Sequence, residues 1–429
     1  MKAIILAVAL SACVPSQAEL RRPVDRDLAQ RLGAPIDPVE IDKLLAAPLD
    51  AATATKIALA NSARLAAAYD QLGIAAGDVA SALGVGPVSI DLQARFGGGG
   101  HEYEIDAIQN LIGLITASRR RAAANAELAA VRAEAVATAL RLVAHVEIAF
   151  RDLIAAQQEL ELRRTAFEAA DAAATLRERM ADAGNTTTLA LARDREAREQ
   201  TRIDVARAET AIAAKREALN ALLGLTGAQT AWTATGTLPD LGPPPQLDAI
   251  EATSVTASLE LEADRDRVAA ATNRASDERL RRWLPELGVG VSVIDDDFVL
   301  KIGPAIRLGL PLFDQRSGQI ARSEAELRSR QHELSAIGVE LRAAARATRI
   351  ATLAAYAEAR QLHDVVLPLR QQIVHETLLH YNAMDADPFQ LIAARRSLAD
   401  AGHQYLDALR RYWNGMTEAG ALAHGVELR

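Results

Sequence analysis

The chain contains two pairs of short segments in which apolar and polar residues alternate. In the first pair, every second residue of 88–96 is apolar, and residues 102–107 alternate in the same way after the glycine run at 97–100. In the second pair, apolar residues occupy every second position of 287–293 and again of 298–312. Successive side chains of a strand point to opposite faces, so the pattern predicts two β-hairpins, each with one apolar and one polar face. Asp295-Asp296-Asp297 is predicted to form the turn of the second hairpin.

Each hairpin is followed by a long segment with helical periodicity. Residues 114–183 contain neither glycine nor proline, and a helix of that length measures roughly 100 Å. Gly184-Asn185-Thr186-Thr187 ends this helix, and a second helix is predicted from about Leu189 to Leu223. After the second hairpin, a long helix is predicted from Gln319, with a turn at 384–388 and a return helix from Phe389 to about Leu422.

An Ala-rich helix also precedes each hairpin, so the chain is predicted to be an internal repeat of one helix–hairpin–long helix plan. The helices before the hairpins are expected at about 56–83 and 255–282. The fold class is therefore mainly α with a small β part. The predicted segments are the first repeat 48–223 (hairpin about 87–113, long helices about 114–223), the linker 224–250, and the second repeat 251–425 (hairpin about 286–313, long helices about 319–422).

The start of the chain is typical of a bacterial lipoprotein signal. Lys2 precedes the apolar run Ala3–Leu10, and Leu10-Ser11-Ala12-Cys13 follows. The apolar run is too short to span a bilayer, so residues 1–12 are interpreted as a processed signal peptide, with lipid attached to Cys13. Residues 13–47 would be an N-terminal extension. The alternative is an ordinary signal cut elsewhere, with Cys13 incidental.

Composition and candidate chemistry argue against an enzyme. Half of the residues are apolar, the net charge is −8, and no basic run suggests nucleic acid. His375 and His380 have no ligand pattern around them, and the aspartates 295–297 lack calcium-loop spacing. The glycines 97–100 join two strands and precede no helix, which disfavours a phosphate-binding loop. No serine lies in a Gly-x-Ser-x-Gly context, so we predict no catalytic residue, metal or cofactor.

Three stretches of the sequence carry a family resemblance. They are Ile57-Ala58-Leu59-Ala60-Asn61-Ser62-Ala63-Arg64-Leu65, the segment from Ile302-Gly303-Pro304 to Leu312-Phe313-Asp314, and Leu367-Pro368-Leu369 with Tyr381 and Phe389-Gln390-Leu391-Ile392-Ala393-Ala394-Arg395. In this order, and with the repeated plan, the chain resembles the TolC-type outer-membrane efflux proteins (outer membrane factors), as a lipoprotein member. The resemblance covers about residues 45–425.

This resemblance implies a homotrimer in the outer membrane. Each chain would give four strands to a shared twelve-stranded β-barrel, continued by a long α-helical barrel in the periplasm. The protein would be the passive, lipid-anchored exit duct of a tripartite efflux system, or of type I secretion. Its partners would be a periplasmic adaptor, an inner-membrane transporter and outer-membrane lipid. The alternative is a periplasmic coiled-coil scaffold lipoprotein without a pore, which the long helices alone would also fit.

The two interhelical turns are the candidate pore tip. Family members often carry an acidic pair just after the second turn, and the matching positions here are Gln390 and Ala393. Asp385 and Asp387 lie a few residues earlier and would take over that role, with Asn185 in the first turn. Alternatively, both aspartates cap the return helix before Pro388.

Overall fold

The computed structural model describes residues 15–33, 40–82, 84, 86–97, 100–283, 286–296, 298–309 and 315–428 of the chain. Cys13, Asp297 and Leu312 lie outside the described residues, and so does the lipid-attachment prediction. The chain forms two compact units. Unit 1 is built from Met1–Leu32, Ala66–Ala137 and Leu259–Glu340, and unit 2 from Gly33–Leu65, Thr138–Ser258 and Leu341–Arg429.

The chain is mainly helical with one small sheet, as the sequence predicts. The first part of the chain forms α1 Gln17–Leu32, α2 Ile41–Leu45, α3 Ala51–Asn61, α4 Ala63–Ala82, β1 Val88–Gly97, β2 Gly100–Asn110, α5 Ile112–Asp182 and α6 Thr188–Leu223. The second part forms α7 Ile250–Ala257, α8 Leu259–Arg281, β3 Glu286–Asp296, β4 Val299–Gly309, α9 Ser317–Gln361, α10 Leu367–Asn382 and α11 Pro388–Ala423. A short 3-10 helix spans Gly227–Thr230.

The prediction of one continuous helix before each hairpin is wrong at a single residue in both repeats. Ser62 separates α3 from α4 with φ −70° and ψ 114°. Ser258 separates α7 from α8 with φ −60° and ψ 116°. The Ser62 Oγ accepts a 3.4 Å hydrogen bond from the Leu65 N–H, which is N-cap chemistry for the helix that follows. Serine therefore ends one helix and begins the next without any glycine or proline signal.

The longest helix matches its prediction closely, whereas its counterpart is interrupted. Helix α5 has 71 residues, which corresponds to about 107 Å at 1.5 Å per residue. In the second repeat, residues Leu362–Val366 form a π-helical turn between α9 and α10. Pro368 stands at the start of α10. Because proline has no N–H and its ring clashes with the carbonyl four residues earlier, an α-helix cannot pass this point unchanged, and the wider turn relieves the conflict.

The N-terminal extension contains a helix that the sequence pattern did not reveal. Helix α1 buries Leu20, Val24 and Leu28. The Tyr69 hydroxyl of α4 donates to Asp25 of α1 at 2.8 Å, and burial raises the pKa of Tyr69 to about 12. Arg21 also lies 4.1 Å from the centre of the Tyr69 ring. Helix α1 is therefore fixed to α4 within unit 1.

The core of unit 2 contains residues from α3, α5 and α6 and from the segment that follows α6. Trp232 is 2% exposed and packs with Ile57, Leu153 and Leu219, each almost fully buried. Its indole N–H donates to the Asn220 side chain at 2.8 Å, which satisfies the one polar group of a large apolar residue.

Candidate functional site

Four antiparallel strands form one sheet in unit 1, in the order β1-β2-β3-β4. The two predicted hairpins are β1–β2 and β3–β4, and they are joined because β2 pairs with β3. The register aligns side chains in rows across the strands. One such row is Leu92, Ile105, Val293 and Ile302. Strands β1 and β4 are the edges of this sheet.

The apolar face of the sheet is open to solvent in the single chain. Leu92 is 70% exposed, Ile302 68% and Ile306 73%. The same face carries further apolar residues from all four strands: Val88, Ile90, Ala94, Tyr103, Ala107, Val289, Val291, Leu300, Pro304 and Leu308. Monomeric soluble proteins rarely leave a contiguous apolar surface of this size exposed. This face is therefore made to contact another apolar phase or surface.

The polar face is the concave and more sheltered side of the sheet. Arg307 of β4 forms an ion pair with Asp91 of β1, reaching across two intervening strands, which requires the sheet to curl toward this face. On β4, Gly303, Ala305 and Arg307 are partly buried, while Ile302 and Ile306 between them are exposed. A soluble protein buries its apolar face and exposes its polar one, so this sheet has the opposite polarity.

Carboxylates outnumber cations on the concave face. The register places on it the acidic residues Asp91, Glu102, Glu104, Asp106, Glu286 and Asp296 and the basic residues Arg95, Lys301 and Arg307. Arg95 pairs with Glu102 and also with Glu104, at 3.0 Å in the second case. The remaining excess gives the face a negative potential.

Glycine permits the curvature of the concave face between β2 and β3. A Cβ atom at Gly290 would lie 2.0 Å from the Ala107 carbonyl oxygen, and one at Gly288 would lie 2.6 Å from the Ile108 side chain. At Gly290 the clash is with backbone atoms, so only glycine fits there, whereas at Gly288 the Ile108 side chain would have to move. The alternation of glycine with valine in 287–293 therefore reflects a close approach of two backbones.

The predicted turn at Asp295-Asp296-Asp297 is corrected by the structure. Asp295 and Asp296 belong to β3, and Asp296 accepts a 2.8 Å bond from Lys301 of β4. Phe298, which precedes β4, lies in a turn and adopts a left-handed φ of 71°. Consecutive aspartates are typical of turns, but these two lie in the strand, where Asp296 pairs with Lys301.

Aromatic side chains collect at one end of the sheet. The Phe96 and Tyr103 rings lie 5.9 Å apart, and the His101 and Phe298 rings 5.1 Å apart, both in edge-to-face geometry. Trp283, which precedes β3 at the other end, is 75% exposed. Aromatic residues at both limits of an exposed apolar band are typical of the two interfaces of a membrane.

The two interhelical turns of unit 2 lie two hundred residues apart and have the same backbone conformation. Gly184 has φ 73° and Met384 has φ 60°. The N–H of Asn185 donates to the Met180 carbonyl at 2.8 Å, and the N–H of Asp385 donates to the His380 carbonyl at 2.9 Å. The repeat therefore extends to the hydrogen bonds of the turns, with glycine replaced by methionine in the second.

The predicted tip residues have different surroundings. Asp387 is the N-cap of α11 and accepts a 2.9 Å bond from the Phe389 N–H. Asp385 caps nothing and instead lies 2.9 Å from Nδ1 of His380 on α10. Asn185 lies in the first turn, and Gln390 lies in the first turn of α11. The alternative that both aspartates cap the helix is therefore wrong for Asp385, and their role in a pore stays a prediction.

The sequence pattern missed Arg177, which connects the two turns. Its guanidinium lies 3.4 Å from the centre of the Phe389 ring at the start of α11. It also forms an ion pair of 2.7 Å with Asp194 of α6 and donates to Thr186 in the first turn at 3.3 Å. A single arginine within an arginine-rich helix gives no signal in the sequence, because its partners come from three other segments.

A partly buried carboxylate joins three helices of unit 2. Asp152 of α5 is bound by Lys215 of α6 at 2.6 Å, and by Arg410 and Asn414 of α11 at 3.2 Å and 3.0 Å. Burial alone would raise the pKa of Asp152, but the bonds from Lys215 and Asn414 and the charges of Lys215 and Arg410 outweigh it and lower the pKa. The ionised form of Asp152 therefore stabilises this packing.

Within the described part of the chain, no three His, Cys, Asp or Glu side chains come close enough together to hold a metal ion. The helices described there include none that is both long and apolar enough to cross a bilayer.

The fold matches that of solved outer-membrane channels. The outer membrane protein VceC of Vibrio cholerae is similar with a TM-score of 0.70 and 17% identity, over 88% of this chain and 97% of that one. A membrane protein of Pseudomonas aeruginosa gives 0.72 and 17%, over 88% and 90%. The outer membrane channel CmeC of Campylobacter jejuni gives 0.63 and 13%, over 97% and 90%.

No protein-family model and no curated protein sequence matches the chain. At these identities the likeness shows the fold alone. It confirms the resemblance to the TolC-type channels at that level, and the proteins with this fold are channels rather than enzymes.

Proposed function

We propose that this chain is one subunit of a trimeric outer-membrane channel that conducts substrate passively out of the cell. The observation that carries the proposal is the inverted polarity of the sheet. Its exposed apolar face suits contact with lipid, and its concave charged face suits contact with water. Among the similar solved structures is the outer-membrane channel OprN, which has the same fold.

The edges of the sheet support assembly of several copies. In lipid, a strand edge with unpaired N–H and C=O groups is forbidden, so β1 and β4 must pair with other strands. Four curled strands cannot close on themselves, whereas three copies supply twelve strands, a size common for closed membrane barrels. The free edges are matched when β1 of one subunit pairs with β4 of the next.

The height of the apolar band also suits a bilayer. The described part of the band runs from Phe298, just before β4, to Leu308 in β4, a span of ten residue steps. At about 3.3 Å per residue and a strand tilt of about 40°, this corresponds to about 25 Å, the height of the apolar band in outer-membrane barrels.

The helices would form the conduit on the periplasmic side and dock on a periplasmic adaptor and an inner-membrane transporter. We assign this system to efflux, with type I secretion as the other use of the same architecture. The subunit itself would act as a passive duct and consume no energy. In this proposal, the partner pump selects the transported substrate, and this chain does not.

Lipid attachment at Cys13 would add a second anchor in the outer membrane. The motif Leu10-Ser11-Ala12-Cys13 motivates it. Metabolic labelling with a radioactive fatty acid should mark the wild-type protein and leave the Cys13→Ser variant unlabelled. Label that persists in the variant would return Cys13 to the incidental interpretation.

A planar-bilayer recording on purified protein tests the channel itself, together with its mass in detergent. We expect discrete conductance steps from a trimer, with a preference for cations because the concave face is acidic. A monomer or dimer that never conducts, yet still associates with the periplasmic side of membranes, would favour the coiled-coil scaffold instead.

A further inference from the structure

At the start of α5, just after the sheet, exposed apolar residues are followed within a few positions by three arginines. Leu114 and Ile115, in the first turn of this helix, are 49% and 46% exposed. Arg119, Arg120 and Arg121 come four to six residues after Ile115, which is about 6–9 Å along the helix axis. The side-chain character therefore changes from apolar to strongly basic within two helical turns.

The same change occurs on α8, which enters the sheet from the other direction. Arg281 and Arg282 immediately precede the exposed Trp283. The guanidinium of Arg282 lies 5.4 Å from the centre of the Trp283 ring. On α9, which follows the sheet, Arg322 lies five residues after the first helical residue, Ser317.

Positive charge is concentrated in these three helix ends. Residues 112–123, 274–283 and 315–326 contain nine arginines and four carboxylates, although the whole chain has a net charge of −8. Four of the arginines, Arg119, Arg120, Arg274 and Arg322, line one cleft of about 310 Å³ between α5, α8 and α9. The cleft is also lined by Asp277, Glu278 and Glu326, and Arg274 is paired with Glu326 and with Glu127. We call the four arginines and Arg121 the arginine cluster.

Several guanidinium groups of the cluster have N–H donors without an acceptor in the described part of the chain. Within the described residues, Arg119, Arg121 and Arg322 form no hydrogen bond or ion pair. Arg120 donates to the Gly113 carbonyl at 2.7 Å, yet its Nε is buried without an acceptor from the described chain. Asp277 Oδ1, on the same cleft, is a buried acceptor without a donor from the described chain. The donors available to an oxygen-rich anion are therefore those of the unpaired Arg119, Arg121 and Arg322.

We propose that the arginine cluster binds the phosphates of anionic phospholipid headgroups in the leaflet next to the helices. This inference rests on the proposed function, which places the sheet in a bilayer. The polar headgroup layer extends about 5–8 Å beyond the hydrocarbon on each side, which is similar to the rise of about 6–9 Å along α5 from Ile115 to its three arginines. The planar guanidinium suits phosphate oxygens, and Trp283 suits the boundary itself. Such lipids would fix the height of the channel in the membrane.

The test uses the purified full-length protein and native mass spectrometry of its lipid complexes. The probes are cardiolipin and phosphatidylglycerol, with phosphatidylcholine as the neutral comparison. The test variant is Arg119→Gln/Arg121→Gln/Arg322→Gln. The matched control is Arg193→Gln/Arg370→Gln/Arg396→Gln, which removes three equally unpaired arginines from unit 2. Channel conductance in bilayers is recorded for all three proteins.

We expect the wild type and the control to retain anionic lipids in preference to phosphatidylcholine. The test variant should bind them at least about tenfold more weakly while it still conducts. Equal binding by the test variant and the control would overturn the proposal, and so would a lack of preference over phosphatidylcholine.

Two further outcomes would also overturn the assignment. Competition by millimolar inorganic phosphate as effective as that by cardiolipin would identify a site for free phosphate. Loss of the trimer in the test variant alone would assign the cluster to a contact between copies of the chain. If the wild type neither assembles nor conducts, the proposed function fails; a conducting protein without anionic-lipid preference contradicts only this inference.

Discussion

Replacing Ile302 by arginine tests which face of the sheet contacts lipid. Ile302 is 68% exposed on the apolar face and lies in the row with Leu92, Ile105 and Val293. It is four residues from Phe298 and six from Leu308, so a tilted strand places it about 10 Å and 15 Å from the two ends of the band. An arginine at this depth should cost about 2–4 kcal/mol of membrane folding free energy, because its charge cannot reach water easily.

Gly303 supplies a control at nearly the same depth on the other face. It is the next residue of β4, and a Cβ atom added there meets no other atom within 4 Å. Its side of the sheet carries Asp91 and Asp106 in the same row. Gly303→Arg adds the same charge to an acidic, water-facing surface, so we expect a change of less than about 1 kcal/mol.

Leu308 supplies a second control that differs in depth. It pairs with Leu287, next to the last pair of the β3–β4 ladder, so it lies near an end of the apolar band rather than at its middle. Leu308→Arg should therefore cost only about 0–1 kcal/mol.

Urea unfolding of the three variants in lipid vesicles measures these differences, with the yield of assembled oligomer as a second reading. A loss of about 3 kcal/mol corresponds to a factor of about one hundred in the folding equilibrium. Similar destabilisation by Ile302→Arg and Gly303→Arg would show that the assignment of the two faces is wrong.

Three further predictions concern unit 2. Asp152→Ala should destabilise the protein by about 2 kcal/mol at neutral pH, because it leaves Lys215 and Arg410 without their shared carboxylate. Since the folded pKa of Asp152 is lowered from 3.8, this difference should be complete above about pH 4 and disappear as the pH falls through the folded value; a chemical-denaturation series in pH would show it. Met384→Gly should stabilise the second turn by about 1 kcal/mol, because glycine adopts a φ of 60° without strain, and amide hydrogen exchange at residue 385 should slow about fivefold. Asp385→Asn with Asp387→Asn should weaken cation preference without harming assembly if both carboxylates line a pore, because asparagine still caps α11. An unchanged reversal potential under a salt gradient would leave Asp387 as a cap and Asp385 as a partner of His380.

Most of the local structure follows from residue patterns within single elements. Period-two alternation predicted the strands because the side chains of a strand alternate between faces regardless of neighbours. The absence of glycine and proline from 114–183 predicted the long helix, since nothing in that stretch disfavours α-helix. The residue types on the strands also fixed which face is apolar, because register cannot slip by one residue without exchanging the faces.

Tertiary structure decided the features that depend on partners distant in the chain. The three aspartates at 295–297 are typical of a turn, but Asp295 and Asp296 belong to β3, where Asp296 forms an ion pair with Lys301 of β4. Ser62 and Ser258 interrupt their helices without a glycine or proline nearby, and serine alone also occurs within helices, so the interruption shows only in the backbone angles. Arg177 is one arginine among many until α6 and α11 bring Asp194 and Phe389 to it. Helical and strand periodicity reports on a single element, whereas curvature, buried ion pairs and the arginine cluster arise only where separate elements meet.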